Sequence, residues 1–232
     1  MQKKLQWTCL ILFLSAIACR NNTSERTEPT PQDSVDSTPL VDSLLSDKEI
    51  SAAESIGFSG YMKQADPAFD FHRFTLSQYW AVDSLPGDDF AGTKKYFDAY
   101  GPFLIYAPDS SRFVDLDSYN ILIQKEKQGR FRGQELGPDT EISLVDLHTK
   151  KKRRLLFLGP GGSVDDACWP DNQTVLLYGV NRNDENESVP AVWKIDLKNN
   201  AFYLFENPDT SLAKKIISYT YQHRLKYLRF EK

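Results

Sequence analysis

The sequence has few cysteines and no long apolar run. Three cysteines in 232 residues exclude the small secreted domains that several disulfides hold together. No stretch reaches the ~20 apolar residues of a membrane-spanning helix, which excludes a multi-span membrane protein. Twelve glycines and twelve prolines are too few for a collagen-like chain. With 41 % apolar and 26 % charged residues, the composition predicts one globular domain plus a tail.

The first nineteen residues have the pattern of an export signal. Lys3 and Lys4 precede an apolar run from Leu5 to Ala18, which three polar residues interrupt. The run holds about 10–14 apolar residues, too few to cross a ~30 Å hydrocarbon core as a permanent helix. A positive start, a short apolar segment and small residues before a cleavage point predict a signal peptide over residues 1–18.

The segment from Ala16 to Cys19 resembles the lipobox of bacterial lipoproteins, with Ala16 where leucine is usual. The resemblance implies that the signal is cut before Cys19 and that the Cys19 thiol receives a diacylglycerol. Arg20 is not the acidic residue that retains some lipoproteins in the inner membrane, which favours the outer membrane of a bacterial envelope. The alternative is an ordinary secretory signal cut near Ala18, without a lipid.

Residues 19–46 predict a flexible tether behind this anchor. They are rich in Ser, Thr, Asn, Pro and acids, with almost no large apolar side chain before Leu40. Such a segment cannot bury enough surface to offset the entropy lost on ordering. Cleavage after Ala18 removes two lysines and no acid, so the mature net charge is 26 − 32 = −6. An acidic exported domain is a poor nucleic-acid binder, so the expected partners are the membrane, through the lipid, and an envelope protein.

The pattern after the tether predicts an aromatic-rich α+β part over residues 47–101. A short helix is expected from Ser46 to Gly57, with Ser46 or Asp47 as a cap and Ile50 and Ala53 facing inward. Glu49 or Glu54 is expected on its polar side.

Further along this part we expect a strand over residues 74–82 and a helical turn over residues 90–100. The many aromatic side chains either fill a sheet core or line a sugar- or peptide-binding groove. The core is the favoured interpretation.

From residue 102 to 206 the chain repeats one pattern. Each half has a Pro-Asp turn between two apolar strands, then a polar loop and an apolar strand that ends in Asp-Leu. The Pro-Asp pairs and the Asp-Leu pairs are Pro108-Asp109, Pro170-Asp171, Asp146-Leu147 and Asp196-Leu197. In the first half, strands are expected at Arg112–Leu116 and Ile121–Ile123, and a longer insertion at Lys125–Thr140.

This pattern resembles a four-stranded blade of the WD40-like or TolB-like β-propellers. Trp169-Pro170-Asp171 stands where those blades have a Trp-Ser-Pro-Asp-Gly turn. The resemblance implies a mainly β (α+β) fold, with an antiparallel sheet of two blade-like repeats. Since two blades cannot close a ring, we expect an open sheet or two packed sheets whose edges the rest of the chain covers.

The last segment, residues 207–232, fits two interpretations. Apolar residues recur at helical spacing, namely Leu212, Ile216, Tyr219, His223 and Tyr227, behind a helix start at Asp209. The alternation of apolar and polar residues from Ile217 to Tyr227 fits a strand instead. We favour the helix, packed on the sheet.

Three charged or glycine-rich motifs have a structural and a functional interpretation each. The basic run Lys150–Arg154 is either a solvated hairpin tip, which we favour, or a contact for anionic lipid head groups. Asp115 and Asp117 fit surface or turn-capping acids better than a Ca²⁺ site, because no EF-hand spacing is present. The loop Leu158–Ser163 lacks the Gly-Lys-Ser/Thr of a phosphate-binding loop and predicts a turn. No metal or cofactor is expected.

Nucleophilic and acid-base residues form no recognisable catalytic set in the sequence. His72, His148 and His223 lie in unrelated contexts without zinc spacing, and no Gly-x-Ser-x-Gly is present. Cys168 precedes Trp169 in an expected buried strand and is interpreted as a core residue.

The leading hypothesis is therefore a lipid-anchored envelope protein with a non-enzymatic binding or assembly role and Cys19 as the lipid attachment site. One alternative is an envelope hydrolase of glycan or peptide, in which Asp115 and either Asp165 or Asp166 flank a cleft. Another is a structural subunit of an outer-membrane complex.

Overall fold

A computed structural model describes residues 43–231 of the chain, and this part is mainly β. It holds three sheets and a few short helices, as the expected mainly β, α+β class requires. The helices are α1 Asp47–Ser55, α2 Phe58–Ala65, α3 Lys94–Tyr100 and α4 Ala213–Tyr219. The strands are β1 Thr75–Ala81, β2 Gly87–Asp89, β3 Ile105–Tyr106, β4 Arg112–Asp115, β5 Ile121–Lys125, β6 Phe131–Glu135, β7 Thr140–Asp146, β8 Lys151–Leu158, β9 Ser163–Cys168, β10 Thr174–Arg182, β11 Ser188–Asp196, β12 Ala201–Glu206 and β13 Leu228–Phe230.

The first helix forms where the sequence predicts it, and its cap explains why. The Ser46 hydroxyl accepts the Glu49 N–H, and the Glu49 carboxylate accepts the Ser46 N–H at 2.8 Å. Ile50 faces the core. Of the two acids expected on the polar side, Glu54 is exposed there, whereas the side chain of Glu49 is buried. Its second oxygen pairs with Lys194 Nζ of β11 at 2.6 Å, and this partner makes burial of the charge tolerable.

The strand and helix expected between residues 74 and 100 are also present. β1 spans Thr75–Ala81, and α3 begins after Thr93, whose hydroxyl accepts the Tyr96 N–H at 3.2 Å. The aromatic rings between α1 and β1 form core: Phe58, Phe69, Phe71 and Phe74 are buried and contact one another.

Two five-stranded antiparallel sheets contain the repeated pattern. Sheet A has the order β1-β12-β11-β10-β9, and sheet B has the order β2-β8-β7-β4-β3. In sheet A, strands β9 to β12 follow one another along the chain, and in sheet B, β3, β4, β7 and β8 keep their chain order with β5 and β6 in between. A strand from the N-terminal part adds to the edge beside the last of these four, β1 in sheet A and β2 in sheet B.

The two sheets share one register. The first residue of β4, Arg112, pairs with Asp146 at the end of β7, and the first residue of β10, Thr174, pairs with Asp196 at the end of β11. The turns that follow also match. Each aspartate accepts backbone N–H groups from residues two and three positions later, and the turns end at Lys150 (φ 53°) and Asn200 (φ 48°).

The insertion in the first half begins earlier than the sequence predicts. Ile121–Ile123 belongs to β5, which pairs with β6 in the separate sheet C (order β13-β6-β5) rather than with sheet B. The chain leaves sheet B because Asp115 turns it: its Oδ1 accepts the N–H groups of Asp117 and Ser118 at 3.1 and 2.9 Å. Such an aspartate-centred turn competes with strand continuation.

The C-terminal segment is helical in its first half only. Helix α4 and a wider π-helical turn over Thr220–Arg224 confirm the helix for the first half of the segment. From His223 onward the expected helical spacing is wrong, because the wider turn changes the direction of the side chains within it and after it. His223 is exposed, Tyr227 is 75 % exposed, and β13 pairs parallel with β6.

The core lies on both faces of sheet A. One apolar cluster packs α1, α2 and α4 on its first face, and another fills the space between sheets A and B. Helix α3 covers the other face of sheet B through Phe113 and Val145. The Trp169 indole N–H joins the sheets by donating to the Ile105 carbonyl at 3.0 Å. The C-terminal segment, packed against β9 and β10, covers the edge of sheet A opposite β1.

Candidate functional site

Aspartates from both halves of the chain meet under the C-terminal segment. Arg224 forms a bidentate pair with Asp117, with nitrogen–oxygen distances of 2.6 and 2.9 Å. Its Nε also donates to the Asp165 backbone carbonyl at 2.8 Å. We call Asp117, Asp165, Asp166 and Arg224 the Arg224 cluster. It links the loop after β4, strand β9 and the C-terminal segment.

A β-bulge explains why Asp165 and Asp166 contact the same segment although they are neighbours in a strand. Tyr178 pairs with Asp166 and Gly179 pairs with Val164, so Asp165 is the extra residue. Asp165 accepts hydrogen bonds from the hydroxyls of Thr220 and Ser163, the latter at 2.7 Å. Asp166 accepts one from the Tyr219 hydroxyl at 2.8 Å.

Burial dominates the electrostatics of the cluster. Asp117, Asp165 and Asp166 are 2 %, 3 % and 8 % exposed. Burial raises the pKa of Asp165 and of Asp166, although hydroxyl donors and the Arg224 charge oppose the shift. Burial also works to lower the pKa of Arg224, but the charge and hydrogen bonds of Asp117 outweigh it, so that pKa is raised. One guanidinium therefore faces three carboxyls, and protonation of Asp165 or Asp166 relieves the excess negative charge.

Asp115 lies beside the cluster and serves another turn. Its carboxylate accepts the Tyr96 hydroxyl of α3 at 2.6 Å and the Ser118 hydroxyl. Burial, followed by the Asp115 charge, raises the pKa of Tyr96. Asp115 and Asp117 are each only 2 % exposed, so they are not surface acids, and the turn-capping alternative is confirmed for Asp115. The pair expected at a hydrolytic cleft, Asp115 with Asp165 or Asp166, is closed off from solvent.

The basic run is not a hairpin tip. The turn after β7 occupies residues 147–150, and Lys151–Arg154 form the first half of β8. Lys151 Nζ contacts Asp89 of β2 at 2.8 Å, and Arg154 contacts Glu141 at 2.6 Å. The run is in the strand because Asp146 closes the turn early. The expected turn at Leu158–Ser163 is confirmed: it joins β8 to β9 through Gly161, with φ 102°.

Histidine and cysteine side chains lie apart, each with its own contacts. His72 bonds Asp70 at 2.7 Å, His148 lies in the turn after β7, and His223 stacks on Tyr219. Cys168 is buried and contacts the Tyr178 hydroxyl at 3.3 Å, and burial raises the pKa of its thiol to about 12. The core interpretation of Cys168 is confirmed. Within residues 43–231, no group of three or more His, Cys, Asp or Glu side chains is placed to hold a metal ion.

Two surface cavities flank α3, and no pattern in the sequence predicts them. One, of about 650 Å³, lies between α3 and the end of β5, and four lysines line it: Lys94, Lys95, Lys125 and Lys127. The other, of about 370 Å³, is lined by Phe90, Phe97, Leu147 and Lys150 and the backbone around Gly92. The lysines that line the two cavities come from three distant segments of the sequence. Folding places these segments next to α3.

The predicted anchor lies outside the part of the chain described. Cys19, the signal peptide over 1–18 and nearly all of the tether over 19–46 precede Ser43. Among the described residues, no helix is long and apolar enough to cross a membrane.

Comparison with known proteins adds no relative. No protein-family model matches the chain, and neither a curated protein nor a solved structure matches it.

Proposed function

We propose that the protein is a lipid-anchored protein of the bacterial outer membrane, acylated at Cys19, with a non-enzymatic binding or assembly role. The observation that carries the proposal is the order of residues 3–19: two lysines, a short apolar run, and Ala16-Ile17-Ala18 directly before the cysteine.

The length of the predicted tether limits how far the domain can lie from an anchor at Cys19. Ser43 is the first described residue, and its carbonyl accepts the Leu76 N–H of edge strand β1 at 3.0 Å. The 24 residues from Cys19 to Ser43 (43 − 19) span at most roughly 86 Å when fully extended. In this proposal the domain therefore begins within that distance of the bilayer.

Sheets A and B are, in this proposal, two blade-type repeats of the WD40-like or TolB-like kind. Their matching strand order, their paired Arg112–Asp146 and Thr174–Asp196 positions and their equal turns support this. Such repeats are scaffolds that present loops for binding.

A non-enzymatic role is favoured because the acids expected at a hydrolytic cleft already serve the fold. Asp115 closes a turn, while Asp165 and Asp166 bind the C-terminal segment. The thiol of Cys168 is buried with a raised pKa, which disfavours the reactive thiolate.

Metabolic labelling with an alkyne fatty acid tests the anchor. We expect labelled protein from the natural chain and from Cys9→Ala, and loss of label from Cys19→Ala. Cys9→Ala is the matched control, because it removes a cysteine of the same apolar run. Equal labelling of Cys19→Ala and the natural chain would remove the proposal.

A further inference from the structure

Helix α3 presents a polar side between the two cavities described above. Its aromatic residues Tyr96, Phe97 and Tyr100 pack against Phe113 and Val145 of sheet B. Lys94, Lys95 and Asp98 are exposed on the other side. Lys150 adjoins the start of the helix, because its carbonyl accepts the Phe90 N–H at 2.8 Å. We call the exposed part formed by Phe90–Lys95, Lys125, Lys127 and Lys150 the α3 surface.

The lysines of the α3 surface outnumber the acids beside them. Asp98 pairs with Lys94 at 2.5 Å, and Glu126 lies 3.7 Å from Arg132, which pairs more closely with Glu231 at 2.7 Å. In the described part of the chain, Lys95, Lys127 and Lys150 have no carboxylate within 4.0 Å. Lys125 Nζ lies 5.9 Å from the centre of the Phe131 ring. This local excess of positive charge, on a mature chain of net charge −6, orients the molecule toward anions.

The cavities add apolar floors to this basic rim. Ala99 and Ile123 line the larger cavity, and Phe90, Phe97 and Leu147 line the smaller one. Glycine at position 92 allows the Phe90 and Phe97 rings to pack closely against the backbone in the smaller cavity. A Cβ at this position would lie 2.8 Å from the Phe90 ring and 2.9 Å from the Phe97 ring. Ala99 and Ile123 are buried and Phe90, Phe97 and Leu147 are partly buried, so the lysines form a charged rim above an apolar floor, an arrangement that matches phosphate groups above acyl chains at a bilayer interface.

We propose that the α3 surface docks the domain on anionic phospholipid head groups of the membrane. The inference deepens the proposed function, on which it rests for bringing the domain near a bilayer. Each lysine near an anionic bilayer strengthens association by about fivefold. Three lysines without a carboxylate partner therefore contribute at least about 100-fold, which low salt enhances and 1 M salt screens.

Residue-resolved lysine acetylation on vesicles tests the docking in the full chain. The acylated protein is mixed with vesicles of phosphatidylcholine alone, or with one third phosphatidylglycerol. Flotation reports attachment, and mass spectrometry reports acetylation of each lysine. We expect acetylation of Lys94 and Lys125 to slow at least about fivefold on the anionic vesicles only, while Lys63 stays unchanged.

Two matched triple variants locate the effect. Lys95→Glu/Lys127→Glu/Lys150→Glu should lose the protection of Lys94 and Lys125. Lys198→Glu/Lys214→Glu/Lys226→Glu changes the net charge equally at exposed sites outside the α3 surface and should keep it.

The outcomes separate the anchor from the docking. Flotation on both vesicles with equal acetylation keeps the anchor and overturns the docking. If the chain does not float with phosphatidylcholine vesicles, the proposed anchor is wrong. In that case docking is supported only if the natural chain floats with anionic vesicles and the first triple variant does not. Equal protection by inorganic phosphate without vesicles would indicate a free-anion site and overturn membrane docking.

Discussion

Sheets A and B contain the same four-strand meander but connect its second and third strands differently. In sheet A, β10 and β11 are nine residues each and are joined by the turn over residues 183–187. In sheet B, the chain leaves after β4 and returns at β7, with β5 and β6 in between. Both sheets nevertheless keep the register that pairs Arg112 with Asp146 and Thr174 with Asp196. Register thus depends on the turns at the strand ends and not on the length of the connection.

The two sheets also differ at the edge strand that the N-terminal part adds. β1 has seven residues without a charge, whereas β2 has three, Gly87-Asp88-Asp89. A short acidic edge discourages pairing with another chain. In β2 the acids also bind within the sheet, because Asp89 contacts Lys151 of β8.

The largest effect should come from breaking the contact that joins the halves. Arg224→Met leaves Asp117 buried without its cation, which typically costs about 3–5 kcal/mol. We expect the free energy of unfolding, measured by urea denaturation, to fall by this amount.

Arg229→Met provides the matched control, because Arg229 is exposed and should change stability by less than about 0.5 kcal/mol. The double variant Arg224→Met/Asp117→Leu should recover much of the loss, since it removes both charges. A loss below about 1 kcal/mol for Arg224→Met would contradict the role of the cluster.

A smaller effect on the free energy of unfolding is expected from a change of pH. Its sign differs between an aspartate with a raised pKa and one with a lowered pKa. Burial raises the pKa of Asp166, so its contribution to stability is present below the unfolded value and is lost as pH rises through the folded pKa. Asp166→Asn should therefore show a flatter decline of unfolding free energy than the natural chain as the pH rises above the ordinary aspartate pKa of about 3.9.

Asp109→Asn is the control of opposite sign. Hydrogen bonds from the Ser111 N–H and hydroxyl lower the pKa of Asp109, so its contribution is present above the unfolded value and is lost in acid. Identical slopes for Asp166→Asn and the natural chain above this pH would contradict a contribution of Asp166 to the pH dependence of stability.

The smallest effect sharpens the comparison of the sheets directly. Asp146→Ala and Asp196→Ala each remove a turn acceptor and should each lower the free energy of unfolding by about 1 kcal/mol. Asp184→Ala, in the exposed turn after β10, should have almost no effect. Urea denaturation of the three variants measures this, and losses that differ by more than about 1 kcal/mol would show that the repeats are not energetically equivalent.

Local signals made several elements predictable. Ser46 caps α1 as one of the two predicted cap residues, and Asp146 and Asp196 end strands as their Asp-Leu pairs predict. The position of β5 was not predictable from its apolar residues. Ile121 and Ile123 fit a strand in any sheet, and only the turn at Asp115 assigns them to sheet C.

The charged groups show the same limit. The sequence contains Asp117, Asp165, Asp166 and Arg224 but no pattern that relates them, because 107 positions separate Arg224 from Asp117. The lysines of the α3 surface are likewise spread over three segments.

Periodicity, caps and turn residues act over a few positions, so the amino-acid order alone determined the β-rich class, the paired meanders and the predicted acylation signal at Cys19. Packing decided which acids are buried, which edge the C-terminal segment covers and which lysines meet around α3. The physical reason is that burial and charge pairing depend on distances between segments, and those distances exist only once the sheets have assembled.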